Sequence, residues 1–440
     1  MKLKNGLAVN NQNHLTISDC DCVELAEKYG TPLYVMNEEH IRLRARQLKE
    51  AMDRRCKGGR VMFAAKAFMN KAMCRIAYSE GLGIDVVSGG ELYTALSAGI
   101  PANMIELHGN NKTEEEIELA LENNIYRIII DGVDEISRIE KVALRTNKKN
   151  IPVEIRLRPG IDAHTYHAVQ TANMDCKFGL SVASGEAMEA AQYLISSEIF
   201  DFKGIHCHIG SQIFETSPFA VLAKHFMDFA LELREKTGYL IQDFNCGGGF
   251  GVWYVEGDEP KELSAYIDLI MDELERRCAE ANYPVPFITI EPGRSIVGEA
   301  GTTLYTVGGK KIIPEIRTYV SVDGGMFDNP RCALYESKYT SLCANKMDQM
   351  HDITAAIAGK CCESGDIITW EGKLPSSVAQ GDILAILTTG AYNYSMASNY
   401  NRNGIPAVVL VNQGSAELIV RRQTYADMAQ RDVIPERLLK

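Results

Sequence analysis

A handful of residues in this chain have types and spacing that suit carbonyl chemistry. Lys66 closes the apolar run Val61-Met62-Phe63-Ala64-Ala65, and a lysine amine can form a Schiff base with a carbonyl. Asp85 is followed by Ser88-Gly89-Gly90-Glu91, and two histidines flank a cysteine in His206-Cys207-His208-Ile209-Gly210-Ser211-Gln212. A glycine run, Cys246-Gly247-Gly248-Gly249-Phe250-Gly251, precedes Glu291-Pro292-Gly293-Arg294. Lacking side chains, Gly247 to Gly249 let backbone N–H groups approach a phosphate ahead of a helix N-terminus. Glu291 follows an Ile-Thr-Ile strand, so it is partly buried and needs a cationic partner. A reactive lysine, a phosphate cradle and a carboxylate able to pair with a pyridinium nitrogen together specify pyridoxal phosphate. In that arrangement His208 stacks on the face of the ring and Ser211 donates to the phosphate.

These residues need a scaffold that brings them to one place. The run before Lys66 shows neither alternation nor helical period, which is how a strand buried on both faces of a parallel sheet reads. Similar strands recur near 61–65, 84–87, 104–108, 126–130, 153–158, 203–209, 243–246 and 287–291. Helical apolar spacing fills Glu114 to Asn123, Ala183 to Ser197, Phe219 to Lys236 and Leu263 to Ala281. Ser88 to Glu91 and Thr113 to Glu116 carry the capping-box pattern of a helix start. Eight strand–helix units predict an α/β fold, a (β/α)8 TIM-like barrel, whose reactive rim lies at the C-terminal ends of the strands. A doubly wound sheet would carry its glycine fingerprint after the first strand, where this chain has Lys66 instead.

Beyond residue 300 the texture changes to short strands: Thr302–Val307, Thr318–Val322, Ile353–Ala358, Ile367–Trp370, Ile383–Leu387, Ala407–Val411 and Glu417–Arg421. These predict a second, mostly antiparallel β domain, with Asn412-Gln413-Gly414-Ser415 turning one hairpin. The expected organisation is N-terminal strands (1–32) joining the β domain, a cofactor-binding barrel (33–300) and the C-terminal β domain (301–440). The strand-like pieces Leu7-Ala8-Val9 and His14-Leu15-Thr16-Ile17 are too short to fold alone and are expected to pair with distant chain.

A net charge of −12 without a basic block argues against a nucleic-acid or anionic-membrane surface. The start of the chain has no apolar core of a signal peptide, and no stretch approaches a membrane span. The twelve cysteines lack paired C-x2-C spacing, so no metal site is expected, and a cytoplasmic location is.

The motifs around Lys66, Asp85, His208, Gly247 and Glu291 resemble the alanine-racemase-fold, fold-type III pyridoxal-phosphate decarboxylases. Asp323-Gly324-Gly325-Met326, Arg331 to Tyr335, Cys362-Glu363-Ser364-Gly365-Asp366 and Gly390-Ala391-Tyr392 extend the resemblance to the diaminopimelate decarboxylase family. That resemblance implies decarboxylation of meso-2,6-diaminopimelate to L-lysine and a homodimer with shared active sites. It makes Lys66 the Schiff-base lysine, Glu291 the partner of the ring nitrogen, and Cys362 the thiol that reprotonates the product from the neighbouring subunit. Asp85, His208, Ser211, Gly248, Gly249, Gly293, Arg294 and Tyr392 are implied as cofactor-binding. Arg294, Arg331, Tyr335, Glu363 and Tyr392 are implied as substrate-binding. Cys361 adds a second thiol beside the expected one. Two guanidinium groups suit a substrate that retains a second carboxylate. The competing readings are an ornithine, arginine or carboxynorspermidine decarboxylase of this fold, a racemase, and a non-catalytic pyridoxal-phosphate carrier. A racemase would want a tyrosine base opposite the lysine, and carriers on this barrel usually lack the β domain.

Overall fold

A computed structural model describes residues 3–160 and 175–439. The chain forms two compact units, one of Arg42–Val252 and Glu259–Ile296, the other of Met1–Ile41, Trp253–Asp258 and Val297–Lys440. The second unit therefore reaches further into the N-terminal region than residue 32, and it also takes back a short piece after the glycine run.

Eight parallel strands close the first unit into a barrel: Arg60–Ala64, Gly83–Val86, Ile105–Leu107, Arg127–Ile130, Ile151–Arg158, Phe200–His206, Asp243–Asn245 and Phe287–Ile290. Closure comes from the pairing of Thr289 with Arg60 and Ile290 with Val61. The outer helices follow their sequence signals. Leu263–Ala281 buries Leu263, Tyr266, Ile267, Ile270, Met271, Leu274 and Cys278, the i, i+3, i+4 stripe of a helix lying on a sheet. Thr113 and Glu116 form a complete capping box. At Ser88 the box is incomplete. The Ser88 hydroxyl accepts from Glu91 N–H, but the Glu91 carboxylate accepts from Val87 N–H at 2.7 Å, one residue ahead of the cap.

The barrel interior is charged as well as apolar. Near the N-terminal ends of the strands, buried Arg127 pairs with Glu154 and, at 3.1 Å, with Asp243, which also accepts from the Thr289 hydroxyl. Toward the C-terminal ends lie Asp85, Glu106, His108, Arg156, His206, Asn245 and Glu291, all buried.

The second unit is built on a mostly antiparallel nine-stranded sheet. Its long strand, Gly301–Ile313, pairs with Arg317–Val322, Ile383–Leu387 and Leu33–Asn37. Leu33–Asn37 also runs parallel to Ala407–Asn412, which is why the chain as far as Ile41 belongs here. The expected hairpin is present, with Asn412 opposite Ser415 and Gln413 and Gly414 both at positive φ. This is the backbone that a two-residue type I′ turn requires. The distant link expected of Leu7–Val9 and Leu15–Ile17 is a backbone hydrogen bond, Leu15 N–H donating to Ala344 C=O at 2.7 Å, rather than a strand ladder. The two strands pair with each other and, with Cys20–Asp21, make a separate three-stranded sheet. Leu15 and Ile17 reach the unit's core instead, packing with Leu304, Ala385 and Val409. Among the described residues, no helix is long and apolar enough to cross a membrane.

Candidate active site

The first barrel strand stops at Ala64, and Lys66 sits in the short 3-10 turn Ala65–Ala67 beyond it. That turn lifts the amine out of the core, leaving the Lys66 side chain 38% exposed while Ala65 and Ala67 on either side are buried. The Glu291-Pro292-Gly293-Arg294 turn packs directly on it. Ala64 N–H donates to Pro292 C=O, and a side chain at Gly293 would meet Ala67 and Ala64 at 3.0–3.1 Å.

Lys66 Nζ lies 3.7 Å from Asp85, which is wholly buried and has neither carboxylate oxygen hydrogen-bonded among the described residues. Burial raises the Asp85 carboxyl, with His108 and Lys66 pulling the other way. Glu291 is the opposite case. Burial would raise it, yet His108 and His206 hold it well below the usual carboxylate range. Its Oε1 is 2.9 Å from His108 Nε2 and accepts from Asn245 Nδ2 at 2.7 Å, while Oε2 meets His206 Nε2 at 3.3 Å. The cationic partner that Glu291 needs is thus His108, which the residue reading did not single out.

The strand ends at His206, so its alternation does not carry on to His208, and the two rings have different partners. Gly248 N–H donates to His208 Nδ1 at 3.1 Å. Burial, with Lys66 and Arg156 nearby, lowers the His208 imidazole far below its ordinary value, so it is a neutral ring. Arg294 is buried and donates through Nε and Nη2 to the Ser211 hydroxyl at 3.3 and 2.9 Å.

The glycine run works differently from expectation. The next long helix begins only at Leu263, so no helix N-terminus follows the run directly. Gly247 N–H donates to Asn245 and Gly248 N–H to His208. Of the three, only the Gly249 amide makes no hydrogen bond to the described residues. A side chain at Gly248 would lie 2.2 Å from Glu291 C=O, and one at Gly249 2.3 Å from Gly210 C=O. The glycines are needed for two loops to touch, and that contact sets the positions of His208 and Glu291.

The remaining expected residues belong to the second unit. Arg331, 6% exposed, opens a helix ending at Tyr335. Its guanidinium lies 4.9 Å from the Tyr335 ring and 5.2 Å from the Tyr392 ring, and its buried Nε has no partner among the described residues. Asp366 organises the Cys361–Gly365 loop, accepting from Cys361 N–H and Met326 N–H. Cys361 is buried, and burial beside Asp366 pushes its thiol up to about 11, whereas Cys362 and Glu363 are exposed.

Residues missed in the sequence are His108, Glu106, Arg156 and Asn245. A signal existed: His108 directly follows the third barrel strand and Asn245 ends the seventh, the same rim position that made Glu291 a candidate.

The fold and these rim residues define a class, the barrel-based pyridoxal-dependent decarboxylases. Residues 38–298 match the family model described as "Pyridoxal-dependent decarboxylase, pyridoxal binding domain". The diaminopimelate decarboxylase of Bacillus subtilis (strain 168) is 46% identical over 424 residues, covering 96% of each chain. The crystal structure of the M. jannaschii diaminopimelate decarboxylase in complex with L-lysine is 36% identical, covers 99% of both chains and superposes with a TM-score of 0.92. That of Helicobacter pylori, also complexed with L-lysine, is 30% identical over 92% of this chain and 98% of that one, with a TM-score of 0.84. The chain belongs to the diaminopimelate decarboxylase family.

Pyridoxal phosphate fits what the barrel unit offers. A half-exposed amine stands beside an orphaned buried carboxylate. A neutral imidazole, a serine–arginine pair and an ionised glutamate complete the donor set.

Proposed function

We propose that this chain is a pyridoxal-phosphate-dependent carboxy-lyase that converts meso-2,6-diaminopimelate to L-lysine and CO2, the last step of lysine biosynthesis. Lys66 would hold the cofactor through its amine, with Asp85 beside it. Ser211, Arg294, Gly293 and the Gly249 amide would take the phosphate end. Gly248 would fix His208 for the ring face, and Tyr392 would contact cofactor and substrate. Bound there, the cofactor supplies an electron sink for the pair left on carbon when CO2 departs. Glu291, kept ionised, holds a proton on the ring nitrogen.

The observation that carries the substrate reading is Arg331, a buried guanidinium with an unanswered Nε. A substrate that keeps a second carboxylate supplies the missing charge-assisted bond, and ornithine does not. Arg294 and Tyr335 complete that carboxylate's set, and Glu363 of the partner subunit meets the retained ammonium group. Cys362 of the partner subunit gives its proton to the carbon that lost CO2, since Cys362 is the exposed thiol of the pair. The working unit is then a homodimer. Large exposed apolar side chains near the chain end, Tyr425, Val433, Ile434 and Leu439, support a covered surface there. All twelve cysteines are free thiols, which supports the cytoplasm.

The test is kcat/KM for diaminopimelate against ornithine and arginine, with borohydride reduction of the holoenzyme to locate the cofactor. Label on Lys66 and a preference for diaminopimelate of roughly 10^4-fold or more are expected. Comparable values for ornithine would overturn the reading of Arg331.

A further inference from the structure

His108 is placed where no cofactor or substrate role has been assigned, yet it faces more charge than any other histidine among the described residues. Its Nε2 is 2.9 Å from Glu291 Oε1, 3.6 Å from Glu106 Oε1 and 3.8 Å from Asp85 Oδ1. All three carboxylates are buried. We propose that His108 is a positioning residue, an imidazolium at the centre of the barrel that keeps Glu291 ionised and aims it at the cofactor's ring nitrogen. This rests on the reading of Glu291 given above.

The two oxygens of Glu291 are unequal. Oε1 accepts from Asn245 and lies 2.9 Å from His108 Nε2 in an ion-pair contact that lacks hydrogen-bond alignment, whereas Oε2 has one long contact, to His206. Fixing Oε1 leaves Oε2 as the oxygen able to take a further donor.

His108 and His206 are both buried and pack edge to face, with centroids 4.8 Å apart. Their surroundings nonetheless push them to opposite charge states. For His108, burial alone would lower the imidazole, but Glu291, Asp85 and Glu106 overcome that and hold it up at about 10. For His206, burial dominates, Glu291 opposes it, and His108 and Arg156 add repulsion, leaving it at about 3. One ring is a cation and the other a neutral donor. Burial pushes the Glu106 carboxyl up, and at 3.6 Å it stands further from His108 Nε2 than Glu291 does at 2.9 Å, so Glu291 is the nearest carboxylate to the His108 charge. Without that charge, buried carboxylates would face one another, and such groups take up protons rather than remain ionised together. A protonated Glu291 can no longer hold a proton on the ring nitrogen as an anion does.

The experiment uses holoenzyme of the wild type, His108→Gln and Glu291→Gln. Three quantities are followed: the pH titration of the bound cofactor's visible absorption, kcat and KM separately, and ring-13C-histidine NMR. Expected is a shift of the absorption titration in the same direction in both variants. His108→Gln should lose kcat by about 10–100-fold, the size typical of removing a partner that orients a ligating group, with KM little changed. In the wild type, the His108 resonance should stay in its protonated position to pH 9. If Glu291→Gln alters the absorption and His108→Gln does not, the positioning role is wrong and the Glu291 reading stands. If Glu291→Gln leaves the absorption unchanged, the Glu291 reading itself fails and takes this inference with it. A neutral His108 at pH 7.5 in the wild type overturns the proposal even if His108→Gln does not fold.

Discussion

Gly248 donates its backbone N–H to Nδ1 of His208 at 3.1 Å, and its Cα faces the carbonyl of Glu291 so closely that a Cβ would sit 2.2 Å from that oxygen. One glycine therefore sets the tautomer of the ring-face histidine and the approach of the strand-eight turn. With Nδ1 accepting, the His208 proton is on Nε2.

Gly248→Ala has no relief available, because the atoms it would meet are backbone. It should cost about 1–3 kcal/mol, as overpacked sites do, and should release pyridoxal phosphate faster on dialysis. Gly309→Ala is the control, with nothing within 4 Å of its added Cβ, and should be neutral or slightly stabilising. Equal urea midpoints for the two variants would show that the loops can part.

Glu91 gives a pH dependence. Burial pushes its carboxyl from the usual 4.5 up to about 7, with the Val87 N–H pulling the other way. Between those values the folded chain binds a proton that the unfolded chain has lost, so this residue's contribution falls as pH rises from 4.5 to 7. Glu91→Gln keeps an acceptor for Val87 N–H and removes the titration. The wild type should lose stability relative to this variant between pH 5 and pH 7.5, read as a narrowing or reversal of the gap in urea midpoints. Parallel curves would contradict it.

The shared-site reading of Cys362 is checked by mixing. Lys66→Ala and Cys362→Ala should each be nearly inactive. After joint unfolding and reassembly, half of randomly formed dimers are hybrids with one intact site of two, so about a quarter of wild-type activity should return. No recovery would mean each site is built within one chain. Recovery with Cys361→Ala as the inactive partner would move the thiol's role one residue upstream, against its burial.

The barrel was legible because short apolar-rich stretches, led by the unbroken run Val61–Ala65, recur between helical ones, although several of the strands also carry buried charges such as Asp85, Glu106 and Glu154. Helix Leu263–Ala281 could be read to the residue because its apolar spacing is unbroken. Leu33–Asn37 escaped notice as a strand of the second unit because its partners, Gly301–Ile313 and Ala407–Asn412, are far away in sequence. Ser341–Cys343 was missed because three residues carry no period. At the site, residues with motif neighbours were readable. His108 and Asn245 were not, since their meaning is a distance to Glu291 across the barrel rather than a spacing along the chain. The glycine run suggests room for a phosphate, whereas its tight contacts are with the protein's own backbone.

The Arg127–Glu154–Asp243 cluster inside the barrel constrains how this chain can vary over time. Arg127 is shared by two acids from different strands, so replacing it alone strands buried carboxylates. Losing one partner of a buried ion pair typically costs about 3–5 kcal/mol, although exchanging the whole set for packed apolar residues is often neutral. Drift at these three positions is therefore concerted. A lineage that leaves this arrangement must pass through a poorly folded intermediate or change several codons together, and descendants on either side of that step will not tolerate each other's single residues.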